Sequence, residues 1–254
     1  MSFAKWLGAS LGWSFGGPIG AILGFALGSA IDGFSDFDVK DYRKQIPEGK
    51  SRTRPQSRPR TKPGDFEVSL LVLAAVIIKA DGDVNKRELD YVRTQFKQMY
   101  GTARANRAFR LFGGIIKKEK ISARQVCMQI RRHMDHPARL QLLHFLFGIA
   151  KSDGNVSEAE MQSIHRIAGY LYINDRDFQS IKAMFYNEVN AAYKILEIDK
   201  SATNDEVKKA YRKMVKKHHP DKLRHLGEEH LKGAEEKFRK IQQAYEQIQK
   251  ERNM

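Results

Sequence analysis

Tyr211-Arg-Lys-Met-Val-Lys-Lys-His-His-Pro-Asp-Lys222 lies near the C-terminus of a 254-residue chain and ends a basic amphipathic helix abruptly. Pro220 lacks a backbone N–H and pushes His219 out of helical geometry, so a helix beginning near Asn204 stops near His218 and a loop begins, running to the next helix near Leu231. His219 and Asp221 are left on a stiffened, exposed turn. Asn204 reads as the N-cap, and Asp205 and Glu206 place negative charge where the helix dipole favours it. Val207, Tyr211, Met214 and His218 share one face, while Lys208, Lys209, Arg212, Lys213, Lys216 and Lys217 fill the opposite arc. His218 reads as a helix-end packing residue rather than a ligand. Further on, Leu231, Ala234, Phe238, Ile241, Tyr245 and Ile248 keep a three-four spacing that predicts a second helix packed antiparallel on the first. Ala191 to Ile198 adds a short apolar helix over the open end of that hairpin.

Tyr193-Lys-Ile-Leu196, Val207-Lys-Lys-Ala-Tyr-Arg-Lys-Met214, His219-Pro-Asp-Lys222 and Phe238-Arg-Lys-Ile-Gln-Gln-Ala-Tyr245 follow one another in an order that resembles the J domain of DnaJ-type co-chaperones. The resemblance covers roughly residues 191–250, within a C-terminal module read as 191–254. It implies that Lys208, Lys209, Arg212, Lys213, Lys216 and Lys217 dock on an acidic surface of a DnaK-type chaperone. It also implies that His219, Pro220 and Asp221 trigger that partner's ATP hydrolysis. Glu197 stands where the family usually carries glycine.

At the other end, residues 6–31 contain no charge, a run of 26. As a helix it would extend about 39 Å at ~1.5 Å per residue, enough for a ~30 Å hydrocarbon core. Residues 1–42 therefore read as a membrane segment with its flank, crossing once. Gly8, Gly12, Gly16, Gly20, Gly24 and Gly28 recur at every fourth position and form a face without side chains, suited to close helix packing and hence to a homodimer. The rival readings are a cleaved signal peptide, a hairpin broken at Gly16-Gly17-Pro18 and a buried segment of a soluble protein. The uncharged run exceeds a usual signal-peptide core, and each half of a hairpin is too short to span.

Residues 43–64 hold four prolines and a net charge of +7, out of +15 for the whole chain, and read as an extended basic linker. With only Lys5 before the membrane segment, the positive-inside tendency places the C-terminal body in the cytoplasm, beneath a bacterial inner membrane. Anionic headgroups are the simplest partner for the linker. Nucleic acid is not expected, because aromatic residues do not interleave with the charges and no base-reading motif follows.

Residues 65–190 show helical period and almost no strand alternation. Phe66 to Ala80 is apolar but too short for a second span, and reads as a buried core helix. Ala80-Asp-Gly-Asp-Val-Asn-Lys-Arg-Glu-Leu89 returns 72 residues later as Ser152-Asp-Gly-Asn-Val-Ser-Glu-Ala-Glu-Met161, so the module has two related halves. Each copy ends one helix at Asp-Gly and starts the next with a capping box, Asn85 to Glu88 and Ser157 to Glu160. The competing reading is a divalent-metal site on Asp81, Asp83, Glu88, Asp153, Asn155 and Glu160. The spacing fails the EF-hand template, since Val92 and Ile164 stand where a bidentate acid is required, and capping is the preferred reading. The repeat resembles the TerB-like domain of tellurite-resistance proteins, which implies that a metal could bind there.

Cys127 is the single cysteine, so no disulfide framework and no Cys-x-x-Cys zinc site exists. No nucleophile-base pair or phosphate loop is recognisable, and His133, His136, His144 and His165 read as surface or core groups; the chain is not expected to be an enzyme or to require a cofactor. The order of parts resembles the DjlA family of membrane-anchored bacterial co-chaperones. An all-α protein is expected, with a single N-terminal transmembrane helix, a TerB-like domain and a C-terminal J-domain hairpin. Its expected work is to recruit a DnaK-type chaperone to the membrane. The alternative is a metal- or stress-sensing membrane adaptor in which the J domain is only the output.

Overall fold

The computed structural model describes residues 63–254 except 81, 83, 118–121, 155, 187–188 and 227–230. The glycine-patterned segment with Gly8, Gly12, Gly16, Gly20, Gly24 and Gly28 lies outside the described residues, as do nearly all of the linker and Asp81, Asp83 and Asn155. All regular structure among the described residues is helical.

Helix α1, Pro63–Ile78, is the expected core helix. It takes in the last two residues of the predicted linker, with Pro63 in its first turn, where a missing N–H costs nothing. Phe66, Leu70, Leu71, Leu73, Ile77 and Ile78 are all essentially inaccessible, because α1 is walled by α2 (Lys86–Ile116), α3 (Ala123–His133), α4 (His136–Ala150) and α5 (Glu158–Tyr170). Glu67 is enclosed with them and is held by Arg104 at 2.8 Å. Helix α2 breaks direction at Gly101, whose φ of 75° is open to glycine at little cost. Helix α4 is buried along almost its full length, and at Gly148 a Cβ would stand 2.1 Å from the Tyr91 hydroxyl, so only glycine lets α2 approach there.

The repeat is structural as well as textual. Ala80 N–H donates to Ile77 O at 2.8 Å and Ser152 N–H to Ile149 O at 2.9 Å, and Gly82 and Gly154 share a φ of 93°. The copies then differ. Ser157 and Glu160 close the predicted capping box at the start of α5, whereas Asn85 accepts from Arg87 N–H and does not close one with Glu88.

Helix α6, Asp175–Ala183, ends the first module, and α7 (Ala191–Ile195), α8 (Asn204–Lys217) and α9 (Leu231–Arg252) make the predicted hairpin with its short cover. Two expectations need correction. The N-cap of α8 is Thr203, which forms a capping box with Glu206, and Asn204 is the first helical residue. The chain after the turn is a 3₁₀ helix, Pro220–Leu226, rather than a loop. Leu223 and Leu226 from that helix, and Ala234 from α9, enter the core of the first module, so the hairpin is docked on it.

Candidate functional site

Helix α8 presents its site because each of its ends is fixed. Thr203 and Glu206 bond reciprocally at the start, and Val207, Ala210 and Met214 bury one face against α9, where Tyr211 and Tyr245 stack at 4.1 Å with nearly parallel rings. Lys208, Lys209, Arg212, Lys213 and Lys216 are exposed on the other face. At the far end His218 caps the helix and Pro220 opens the 3₁₀ helix, so only His219 lies between the cap of one element and the start of the next. His219 Nδ1 accepts from Asp221 N–H at 3.2 Å, which leaves the proton of the neutral ring on Nε2. Lys222 N–H donates to His219 O at 3.1 Å, Arg224 Nε reaches Asp221 Oδ1 at 2.9 Å, and the His219 ring stands edge-on to Phe238. With side chains 48% and 56% exposed, His219 and Asp221 are held in shape yet remain reachable from solvent.

Lys217 behaves differently from the other five cations. Its side chain is 19% exposed, and its ammonium donates to Asp177 of α6 and to Glu197. Asp177 also accepts from His136 Nε2 at 2.8 Å. Burial pushes the Asp177 carboxyl up, but the hydrogen bonds of His136 and Lys217 and the Lys217 charge outweigh it and hold the group below the ordinary carboxylate range. Glu197 occupies the usual glycine position with a φ of 60°, so the left-handed turn survives the change of residue. Ile198 N–H to Tyr193 O and Glu197 N–H to Lys194 O complete a Schellman closure of α7.

Beside Lys217 lies a buried set of nitrogens: Lys237 of α9, His218, and His144 of α4 are 2%, 5% and 6% exposed. Burial, reinforced by the charges of Lys237 and Lys240, lowers His144 to about 3. Burial with the Lys237 and Lys217 charges drives His218 well below its ordinary value. Lys237 falls to about 7 through burial, against the favourable charge of Asp177. These residues were not legible as a site: Lys237 stands beside Phe238 in a charged helix and reads as solvated, and Asp177 reads as ordinary first-turn acid.

Of the predicted metal set, Glu160 serves the Ser157 cap, Asp153 accepts from Asn85 Nδ2 at 3.0 Å across the repeat, and Glu88 is buried. Among the described residues no group of three or more His, Cys, Asp or Glu is placed to hold a metal ion. No described helix is long and apolar enough to cross a membrane.

Three family models match in chain order: the co-chaperone DjlA transmembrane domain over residues 1–53, tellurite resistance protein TerB over 67–183, and the DnaJ domain over 191–253. A co-chaperone protein DjlA from Coxiella burnetii is 30% identical over 201 residues, covering 70% of this chain and 74% of the relative. The chain belongs to the DjlA co-chaperone family. A DjlA of Vibrio cholerae is 29% identical over 226 residues, covering 75% and 79% of the two chains. A chaperone protein DnaJ of Lactococcus lactis is 52% identical, but over 59 residues only, 23% of this chain and 14% of the relative. No solved structure matches the chain. Membership and the match over residues 1–53 make this a membrane-anchored bacterial protein with a TerB-like module between anchor and J domain.

Proposed function

We propose that this chain recruits a DnaK-type ATPase to the cytoplasmic face of the bacterial inner membrane and stimulates its ATP hydrolysis, acting as a single-pass co-chaperone and not as an enzyme itself. The observation that carries this reading is the exposed turn of His219, Pro220 and Asp221 at the end of a helix bearing Lys208, Lys209, Arg212, Lys213 and Lys216 toward solvent. Such an array suits an acidic docking surface, with the charges guiding encounter and the fixed turn delivering the specific contact. The basic linker favours the cytoplasmic side, and the glycine face of residues 8–28 would support a homodimer within the bilayer. No metal or other cofactor is required by this reading. The test is single-turnover ATP hydrolysis by a DnaK-type chaperone with the full-length protein in detergent or nanodiscs. The parent should accelerate it, and His219→Gln should abolish the acceleration without changing helicity or melting. Equal stimulation by both proteins would refute the co-chaperone reading.

A further inference from the structure

The trigger turn is held on both sides by the TerB-like module. Two residues before His219, Lys217 is bonded to Asp177 of α6; after Asp221, Leu223 and Leu226 enter the first module's core at 2% and 0% exposure. His225 Nε2 lies 3.7 Å from Asp135 Oδ2 at the start of α4. The first turn of α9 adds a close approach, since a Cβ on Gly233 would stand 2.7 Å from Gln141 Nε2. We propose that the TerB-like module is a latch on the J domain: it engages Lys217 through Asp177 and the 3₁₀ helix through its core, and release of that contact raises co-chaperone output.

The proposal rests on the co-chaperone reading and adds a regulatory role for the middle module. One of the six cations assigned to docking is occupied in the latched state, and it is the one nearest the trigger. Lys217 is 19% exposed between Asp177 and Glu197, so a partner carboxylate gains full access to its ammonium only as Asp177 withdraws, and docking on the partner and docking on α6 compete for it. The composition of the contact also favours reversibility. It encloses His144 from α4, His218 from the end of α8, and Lys237 from α9, with Lys240 of α9 and Lys217 adding positive charge and Asp177 and Glu197 opposing it. Burying a lysine and two histidines is costly compared with an apolar contact of equal size, so this face is less favourable to close than the α1 core.

The experiment uses the full-length protein in nanodiscs, with a DnaK-type ATPase as probe. Asp177→Asn removes the latch charge at constant size and should lower the concentration for half-maximal stimulation by about fivefold or more, the lower range of coupling between linked sites. A second variant, Gln141→Cys with Gly233→Cys, is closed covalently by a short bis-maleimide with a reducible link, because only the end of the Gln141 side chain comes within 4 Å of a Cβ on Gly233 and a direct disulfide needs Cβ atoms about 4 Å apart. Crosslinked, it should stimulate at least about fivefold less well than the same sample after the link is reduced. His219→Gln runs alongside: if it still stimulates, the co-chaperone reading fails. If it is inactive while Asp177→Asn matches the parent, or the crosslinked and cleaved samples act alike, the latch alone is overturned. Failure of the pair to crosslink would place the two faces apart and overturn it as well.

Discussion

Glu197 and Lys217 form an ion pair inside the J domain, and the acid holds it from a residue with φ of 60°, in the left-handed region. A glycine there would release the backbone cost; the glutamate keeps that cost and gains Lys217 and, at 3.3 Å, Lys213. Ala at this position loses the pairs and keeps the strain, while Gly loses the pairs and the strain together. Glu197→Gly is therefore expected to melt above Glu197→Ala by the equivalent of about 1–2 kcal/mol, the cost of left-handed backbone for an L-residue. Thermal unfolding of the two variants side by side checks this, and the reverse order would contradict the placement of the turn.

Acid should loosen the contact between the modules. His144 and His218 both have values lowered from the ordinary 6.5, by burial first and by the neighbouring lysines second. For a lowered group the stability it contributes is complete above its unfolded value and is lost as pH falls from there toward its folded value. Each histidine should therefore cost on the order of 1 kcal/mol at pH 5.5 relative to neutral pH. Asp177 stays ionised through this window because its carboxyl is held below the ordinary range. Lys237, lowered to about 7, acts in the same direction at higher pH: its contribution is present above 10.5 and fades as pH falls to about 7. Melting temperature should thus rise from pH 5.5 through 9. Replacing His144 and His218 by Leu together should flatten the acid limb, and an unchanged slope would remove them from the interface account.

The hairpin was legible because Val207, Tyr211 and Met214 keep helical spacing and Pro220 ends the run, and the two-half middle module because its repeat returns at an offset of 72 residues. Thr203 and Asn204 both belong to residue types that cap well, and the reciprocal partner Glu206, three residues after Thr203, is the signal that separates them. Leu223 and Leu226 read as loop because the run after Pro220 is short and charged, although a spacing of three is the 3₁₀ repeat. Lys217 reads as one more exposed cation because periodicity gives a direction around one helix and nothing about what another module places opposite. Asp177 and Lys237 belong to the same class: they meet only through tertiary docking, which no local pattern encodes.

The Asp-Gly repeat should be a capping device before it is anything else. Ser157→Ala removes the acceptor for Glu160 N–H at 3.2 Å and should destabilise the protein by about 1 kcal/mol. Titration calorimetry of the full-length protein with calcium, magnesium and zinc is expected to give no saturable heat. A stoichiometric site that disappears on Asp81→Ala would favour the metal reading instead.

The cations of α8 should divide into two groups by experiment. Lys209→Glu with Lys216→Glu changes exposed charges on the solvated face, so melting should move by no more than about 0.5 kcal/mol per site. Affinity for the DnaK-type partner should nevertheless fall, and the difference from the parent should shrink as salt rises, because exposed charges are screened over ~10 Å at 0.1 M. Lys217→Glu places a third carboxylate against Asp177 and Glu197, whose side chains are almost wholly enclosed. Breaking a buried pair leaves uncompensated charge, so this single change should lower the melting temperature by the equivalent of about 3 kcal/mol, with little relief from salt. Melting and binding measured across a salt series separate the two behaviours, and a Lys217→Glu protein as stable as the parent would show that the ammonium is not held where Asp177 and Glu197 meet.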